Sequence, residues 1–206
     1  MIEDDQNVTI DLNGKTITGS RTTTKGYAIK NYGKLTITDT TEEKTGKIKE
    51  IANTLIGYGI HNRDGEVSIE AGTIVTETAQ VKGITYGIYN QSAKPVTVKG
   101  GSVIAEARGE NSTSCGIYNL AGEMVQVTGG MVLANANAES SISYGIYNKT
   151  NGAISVTGGS VQSKSSLASA VSYGIYNETS RDIALNGGTV TCLLYTSDAA
   201  DDRISV

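Results

Sequence analysis

The sequence predicts an all-β fold, a parallel β-helix whose short strands coil into stacked turns. First, a five-residue motif, Tyr-Gly-Ile-Tyr-Asn, recurs with a period of about 29 residues. Second, a frame of alternating apolar residues broken by Gly-Gly follows most copies at a constant interval. Third, apolar residues alternate in short runs without helical periodicity, which indicates strands. Repeated strands stay equivalent when each repeat is one coil stacked on the last, so that like strands pair in parallel.

The five-residue motif occurs unchanged three times and altered three times. Its first positions are separated by 31, 28, 29, 29 and 29 residues. His61 replaces the second tyrosine in one altered copy, and Cys115 replaces the first tyrosine in another. The six copies are Tyr27–Asn31, Tyr58–Asn62, Tyr86–Asn90, Cys115–Asn119, Tyr144–Asn148 and Tyr173–Asn177.

The second frame supplies the other two strands of each coil. In Val96–Val103, Val96 and Val98 point to one side and Thr97 to the other, and a Gly-Gly pair then allows a tight corner at positive φ. The frame returns at 125–132, 154–161 and 183–190, and in partial form at 10–17, 35–48 and 67–74. The segment 39–45 reads as an insertion. The chain therefore predicts about seven three-stranded coils over residues 1–191.

Strict alternation assigns the interior of the predicted coils. In the third strand it places Tyr86 with Ile88 and Asn90 on the inner side, and Thr85 with Tyr89 on the outer side. Three inward columns are then expected from Ile29, Ile60, Ile88, Ile117, Ile146 and Ile175; from Val98, Val127, Val156 and Leu185; and from Val103, Val132, Val161 and Val190. Stacked amides can satisfy one another, so a structural ladder is expected from Asn31, Asn62, Asn90, Asn119, Asn148 and Asn177.

Composition excludes several functional classes. The chain has 206 residues, no Trp or Phe, 25 Gly and a net charge of −4, without the basic patch that indicates nucleic acid. It has no apolar run long enough for a membrane-spanning helix and no visible signal peptide. Cys115 and Cys192 predict neither a disulfide nor a metal site, and no cofactor is expected.

The last residues depart from the repeat. Residues 192–206 match no unit, and 192–202 resemble the translation, in one reading frame, of the adapter used in transposase-based sequencing libraries. We therefore expect residues 1–191 to be a β-helix fragment from a metagenomic gene model and residues 192–206 to be a non-native tail.

A family resemblance rests on two stretches. Residues 8–18 and 29–39 resemble consecutive coils of pectin-lyase-like right-handed β-helix segments in bacterial surface proteins. The tyrosine repeats resemble those of large secreted or wall-attached, adhesin-like proteins of gut bacteria of Gram-positive type. The resemblance implies a right-handed coil, an extracellular or wall-attached location, and a monomer within a larger multidomain chain.

Candidate chemistry is sparse. Polysaccharide hydrolases need two carboxylates that converge on one bond, whereas Asp64, Glu66, Glu106 and Asp182 fall in unlike units. No catalytic residue is therefore assigned, and an enzyme is not expected. An outward aromatic column is the candidate binding surface, because rings one coil apart are expected to form a flat strip on which polysaccharide or host glycan can stack as a partner. The alternative is that the rings only pack on one another and shield the sheet. Its members are His61, Tyr89, Tyr118, Tyr147 and Tyr176.

Three hypotheses remain open. The first is a structural, adhesin-like stalk, the second a glycan-binding surface on the tyrosine column, and the third a fragment of a polysaccharide lyase or hydrolase without its catalytic coils.

Overall fold

The chain folds into a parallel β-solenoid. A computed structural model describes residues 1–21, 25–121, 124–165, 167 and 169–194, and in this part the fold is all-β, without a helix. The predicted fold class and period are confirmed. The described strands make six complete three-stranded turns and two strands of a seventh, so the solenoid has one complete turn fewer than predicted.

The strands follow one another in the same order in every turn. In chain order they are β1 (Asn7–Asp11), β2 (Thr16–Arg21), β3 (Lys25–Asn31), β4 (Lys34–Thr38), β5 (Lys47–Ala52), β6 (Ile56–Asn62), β7 (Glu66–Ile69), β8 (Thr73–Thr78), β9 (Ile84–Asn90), β10 (Val96–Val98), β11 (Ser102–Ala107), β12 (Thr113–Asn119), β13 (Val125–Val127), β14 (Met131–Ala136), β15 (Ile142–Asn148), β16 (Ile154–Val156), β17 (Ser160–Ser165), β18 (Val171–Asn177), β19 (Ile183–Leu185) and β20 (Thr189–Leu194).

Every third strand belongs to the same sheet. The first sheet is β1-β4-β7-β10-β13-β16-β19, the second is β2-β5-β8-β11-β14-β17-β20, and the third is β3-β6-β9-β12-β15-β18. All pairs are parallel, and equivalent repeat positions lie side by side. Val96, for example, pairs with Val67 in the preceding turn and with Val125 in the next. The repeat period of the sequence therefore sets the register of the three sheets.

The core is a set of aliphatic columns inside the coil. Ile88, Val98 and Val103 are fully buried, as are their equivalents in the central turns. The predicted inward columns are thus confirmed there. In the last strands the same positions are open: Leu185 is 56% exposed and Val190 is 36% exposed, because no described residue lies over them.

A Gly-Gly pair turns the chain from the first sheet into the second. Its second member has positive φ, which is 67° at Gly101, as the sequence predicted. A Cβ at Gly101 would lie 2.3 Å from the carbonyl oxygen of Gly72 in the turn before. Glycine is therefore required both by the backbone conformation and by the close approach of successive corners.

The third sheet contradicts the strict alternation that we expected. Thr85 is fully buried, and Gly87 and Ile88 are both buried although they are neighbours in sequence. A Cβ at Gly87 would lie 2.5 Å from Cγ1 of Val103 in the core, so this position faces inward as well. Two successive inward residues shift the pattern, and Tyr86 therefore lies outside with Tyr89. The prediction that Tyr86 points inward and Thr85 outward was wrong.

The segment 39–45 inserts a loop into the second turn. Asp39 is 2% exposed, and its carboxylate accepts hydrogen bonds from the backbone N–H of Gly46 (2.6 Å) and of Gly14 (3.0 Å), and from the Thr41 hydroxyl (2.7 Å). Burial opposes ionisation, but these bonds outweigh it and lower the pKa of Asp39. The loop is thus fastened to the corner before it.

The C-terminal boundary differs slightly from the sequence pattern. β20 extends to Leu194, and Cys192 pairs in register with Ser163. Residues 195–206 lie outside the described residues, so the prediction that the tail is non-native stays a prediction. In the part of the chain that the structure describes, no helix is long and apolar enough to cross a membrane.

Candidate functional site

The outer side of the third sheet carries two adjoining columns of mostly aromatic side chains, which we call the tyrosine face. The first column comes from the first motif position: Tyr27, Tyr58, Tyr86, Cys115, Tyr144 and Tyr173. The second column comes from the fourth motif position: Lys30, His61, Tyr89, Tyr118, Tyr147 and Tyr176. The structure therefore brings together all five predicted binding residues and adds tyrosines that sequence reasoning placed inside.

The second column is a stack of nearly parallel rings. Ring centroids are 5.2 Å apart between Tyr89 and Tyr118, at 10°, and 4.8 Å apart between Tyr118 and Tyr147, at 17°. Tyr147 and Tyr176 continue the stack at 5.1 Å with a tilt of 34°. In-register parallel pairing places identical rings one turn apart, and this spacing allows them to stack.

The first column stacks in the same way and meets the second edge-on. Tyr58 lies over Tyr86 at 5.4 Å, and Tyr144 lies over Tyr173 at 5.3 Å. Within one turn, Tyr86 contacts Tyr89 at 4.9 Å with the rings at 60°. Edge-to-face contact is a favoured geometry for aromatic pairs. The aromatic contacts thus run without a break from turn to turn along the second column, from His61 to Tyr176.

Stacking decides which part of each ring a ligand can reach. The face of a ring such as Tyr118 is covered by the rings of Tyr89 and Tyr147 above and below it along the solenoid. The side chain remains partly exposed, so its outer edge and hydroxyl are what solvent reaches. Contact along most of the face therefore uses ring edges and phenol groups, whereas we expected flat ring surfaces.

The phenol groups in the middle of the tyrosine face stay protonated at neutral pH. Burial raises the pKa of Tyr58 and that of Tyr144 to about 12, and it also raises the pKa of Tyr89 and Tyr118. The Tyr147 hydroxyl donates a hydrogen bond to the Glu178 carboxylate. Burial first, and this bond second, raise the pKa of Tyr147. The face therefore offers a row of neutral hydroxyl groups that can donate and accept hydrogen bonds.

His61 replaces a tyrosine in the second column, near one end of the tyrosine face. Its ring stacks on Tyr58 at 4.8 Å, and Nε2 lies 2.9 Å from Oε1 of Gln91, which also accepts from Arg63 at 3.1 Å. Burial and the nearby cations Arg63 and Lys30 lower the pKa of His61, although the bond to Gln91 acts in the opposite direction. The imidazole is thus an uncharged member of the column at neutral pH.

Cys115 interrupts the first column. It pairs in register with Tyr86 and Tyr144, is 1% exposed and is not in a disulfide. Burial raises the pKa of its thiol, so the group is a protonated, shielded side chain.

The predicted asparagine ladder lies inside the coil, behind the face. Each amide Nδ2 donates to Oδ1 of the asparagine one turn on, from Asn31 to Asn177, at 2.7–2.9 Å. Asn148 also donates to the carbonyl oxygens of Thr150 (2.9 Å) and Gly152 (2.8 Å). These hydrogen bonds connect the corner of each turn to the corner of the next, and they hold the asparagine side chains inside the coil.

Two of the acidic residues considered in the sequence, Glu66 and Glu106, lie far apart in the fold, each in its own ion pair. Glu66 pairs with Lys34 at 3.3 Å, and Glu106 pairs with Arg108 at 2.6 Å, on different sheets. Among the described residues, no group of three or more His, Cys, Asp or Glu could hold a metal ion. A depression of about 220 Å³ beside β8 contains Glu77 as its one carboxylate, and Glu77 is paired with Lys49 at 3.1 Å.

One sequence signal could have revealed the extra tyrosines. The second position of the third-sheet strand carries only glycine, serine or threonine: Gly26, Gly57, Thr85, Ser114, Ser143 and Ser172. Such small residues fit an inward position, and Ser143 is buried with its hydroxyl 2.7 Å from that of Ser163 on the second sheet. When the second residue of the strand faces inward, the first and third residues face outward. The third residue of the strand is the first tyrosine of the motif.

Comparisons with protein-family models, with curated proteins and with solved structures gave no match to this chain.

Proposed function

We propose that residues 1–191 are a stiff, non-catalytic spacer of a secreted or wall-attached bacterial protein, a stalk that holds other domains apart. The observation that carries this proposal is the unbroken register of equivalent strands from β1 to β19 in the first sheet. Each turn buries its neighbour's apolar side chains and shares the asparagine ladder with it, so bending would break several contacts at once. The pectin-lyase-like resemblance supports the extracellular location.

A distance measurement between the two ends tests the spacer role. Thr9 and Ala184 occupy the same outward register column, six strand spacings apart, which corresponds to about 29 Å. Spin labels on Thr9→Cys and Ala184→Cys, with the exposed Cys192 changed to Ser, give this distance by pulsed electron resonance. We expect one narrow distribution that glycerol or crowding agents leave unchanged. A broad distribution would contradict a stiff spacer.

A second proposal is that the tyrosine face binds polysaccharide or host glycan. It is favoured by the partial exposure of its rings and by the row of hydroxyl groups at a spacing of about one turn. Because the ring faces are stacked, the phenol groups would hydrogen-bond to sugar hydroxyls while ring edges cover the apolar sugar surface. This mode differs from sugar stacking on one isolated ring.

Two double variants separate the contributions of ring and hydroxyl. Tyr118→Phe with Tyr147→Phe keeps the rings, and Tyr118→Ser with Tyr147→Ser removes them. Two hydrogen bonds at about 1 kcal/mol each predict a loss of affinity of tenfold or more in both variants, measured by affinity electrophoresis in polysaccharide gels. Gln126→Ala, on the first sheet, is the control. Absence of binding by the wild type, or full binding by a folded serine variant, would contradict this proposal.

A further inference from the structure

The tyrosine face places oxidisable rings of successive turns in direct contact. Tyr118 and Tyr147 are the closest tyrosine pair joined from one turn to the next, with centroids 4.8 Å apart and rings at 17°. Tyr89 with Tyr118, and Tyr144 with Tyr173, repeat the arrangement at 5.2 and 5.3 Å. In-register pairing holds the two backbones side by side, so the two side chains are confined to the same small volume.

We propose that the tyrosine face is a site of oxidative dityrosine formation, in which a carbon–carbon bond between the rings of Tyr118 and Tyr147 joins two successive turns covalently. The modification needs hydrogen peroxide as the oxidant and a haem peroxidase that removes one electron at a time from each tyrosine. This inference goes beyond the spacer role and does not depend on it, since it uses only the ring geometry.

The coupling removes two hydrogen atoms from the protein and leaves both phenol groups in place. Each phenol loses one electron and its hydroxyl proton and becomes a phenoxyl radical. The two radicals couple through the ring carbons next to the hydroxyl-bearing carbons, and the hydrogens on those carbons then move to the oxygens and restore both phenols. Two hydrogen atoms are lost in total, and hydrogen peroxide, which accepts them, becomes two water molecules.

Glu178 favours Tyr147 as the first ring to be oxidised. The Tyr147 hydroxyl already donates a hydrogen bond to the Glu178 carboxylate, which can accept the proton as the electron leaves. The radical then forms against the ring of Tyr118, and a ring held at contact distance reacts as if it were at very high concentration. Coupling within one molecule should therefore outrun coupling between dilute molecules.

The bond would link residues 29 positions apart in sequence. A crosslink across one turn restricts the unfolded chain and leaves the stacked turn in place. We therefore expect the modified solenoid to unfold at a higher denaturant concentration than the unmodified one.

Treatment of dilute protein with a haem peroxidase and hydrogen peroxide tests the proposal. We expect dityrosine fluorescence in a species that migrates as a monomer, an intact mass lower by two hydrogen atoms, and a proteolytic fragment in which the peptides of Tyr118 and Tyr147 are joined. Formation of dityrosine only in covalent dimers would overturn the proposal, as would a link between Tyr144 and Tyr147 of the same turn in place of the expected one.

Matched phenylalanine variants make the assignment specific. Tyr118→Phe keeps the stacked ring but cannot form a phenoxyl radical, so the joined peptide should be lost although circular dichroism is unchanged. Tyr32→Phe removes a tyrosine whose ring lies 5.0 Å from Nζ of Lys30, and it should leave the yield of the joined peptide unchanged. Glu178→Gln should slow the reaction. If Tyr118→Phe retained the intramolecular dityrosine yield, or if Tyr32→Phe removed it, the assignment to this pair would be wrong.

Discussion

The central turns and the last strands have the same repeat pattern but very different burial. Val156 on β16 and Val161 on β17 are fully buried, whereas their register partners Leu185 and Val190 are 56% and 36% exposed. A residue that fits the apolar repeat pattern is therefore not always buried in the core. In a solenoid, each turn is buried by the turn that follows it, so stability depends on the interface between neighbours.

The first turn is covered over the third sheet but stays open over the second, where Ile17 on β2 is 40% exposed. Ile2 is 6% exposed and pairs with Asn31 of β3, and its backbone N–H donates to the carbonyl oxygen of Lys30 at 3.0 Å. Leu12, between β1 and β2, is 3% exposed. Residues before β1 thus occupy the open edge of the third sheet at this end. Position along the solenoid should accordingly decide how much a given repeat residue contributes to stability.

The largest expected effect comes from a charge in the central core. Ile146→Asp places a carboxylate at a fully buried position on β15, which costs several kcal/mol and should abolish the cooperative thermal transition. Thr97→Asp, on the outer side of β10, should cost less than about 0.5 kcal/mol. Circular dichroism melts of the two variants make the comparison. Equal loss of the transition in both would show that the assignment of inner and outer sides is wrong.

The asparagine ladder gives a second, smaller contrast. Asn148 and Asn177 bond to their own corner in the same way, but Asn148 is fully buried and bonded to ladder members on both sides, whereas Asn177 is partly exposed. Each buried polar group left unpaired costs about 1–3 kcal/mol, so Asn148→Ala should destabilise the protein clearly more than Asn177→Ala. Urea unfolding midpoints measure the difference. Equal midpoints would mean that the ladder contributes little beyond each corner.

A matched valine pair tests hydrophobic burial alone. Val161→Ala removes fully buried methyl groups and leaves a cavity, for an expected cost of about 2 kcal/mol. Val190→Ala, at the register partner, should cost less than half of that, since the side chain is already partly in water. The urea midpoint of each variant, compared with that of the wild type, gives the result. A cost at Val190 equal to that at Val161 would indicate that other residues cover the end in solution.

The sequence was sufficient for the parts of the fold that repetition controls. Strand order, parallel pairing and register follow from a period of about 29 residues, because equivalent positions must lie side by side. The inner position of Thr85 and the outer position of Tyr86 were not predicted, since strict alternation fails where Gly87 and Ile88 both face the core. The orientation of the stacked rings could not be predicted from the sequence either, because it depends on side-chain contacts between turns.

The smallest expected effect comes from the last twelve residues. Residues 195–206 match no repeat unit, so their deletion should leave the urea midpoint unchanged. Deletion of 189–206 also removes β20, which pairs in register with β17 and packs its Cys192 sulfur against the backbone N–H of Gly174. That deletion uncovers the β17 edge and should lower the midpoint, by moving the open end one strand inward.

A third deletion, of residues 192–206, removes half of β20 and completes the comparison. If repeats alone provide stability, the midpoint is unchanged on deletion of 195–206, falls in part on deletion of 192–206 and falls most on deletion of 189–206. A fall on deletion of 195–206 as large as that on deletion of 189–206 would show that the last twelve residues cover the end of the solenoid. The reading of this segment as a non-native tail would then be wrong, and Leu185 and Val190 would need a new account of their environment in solution.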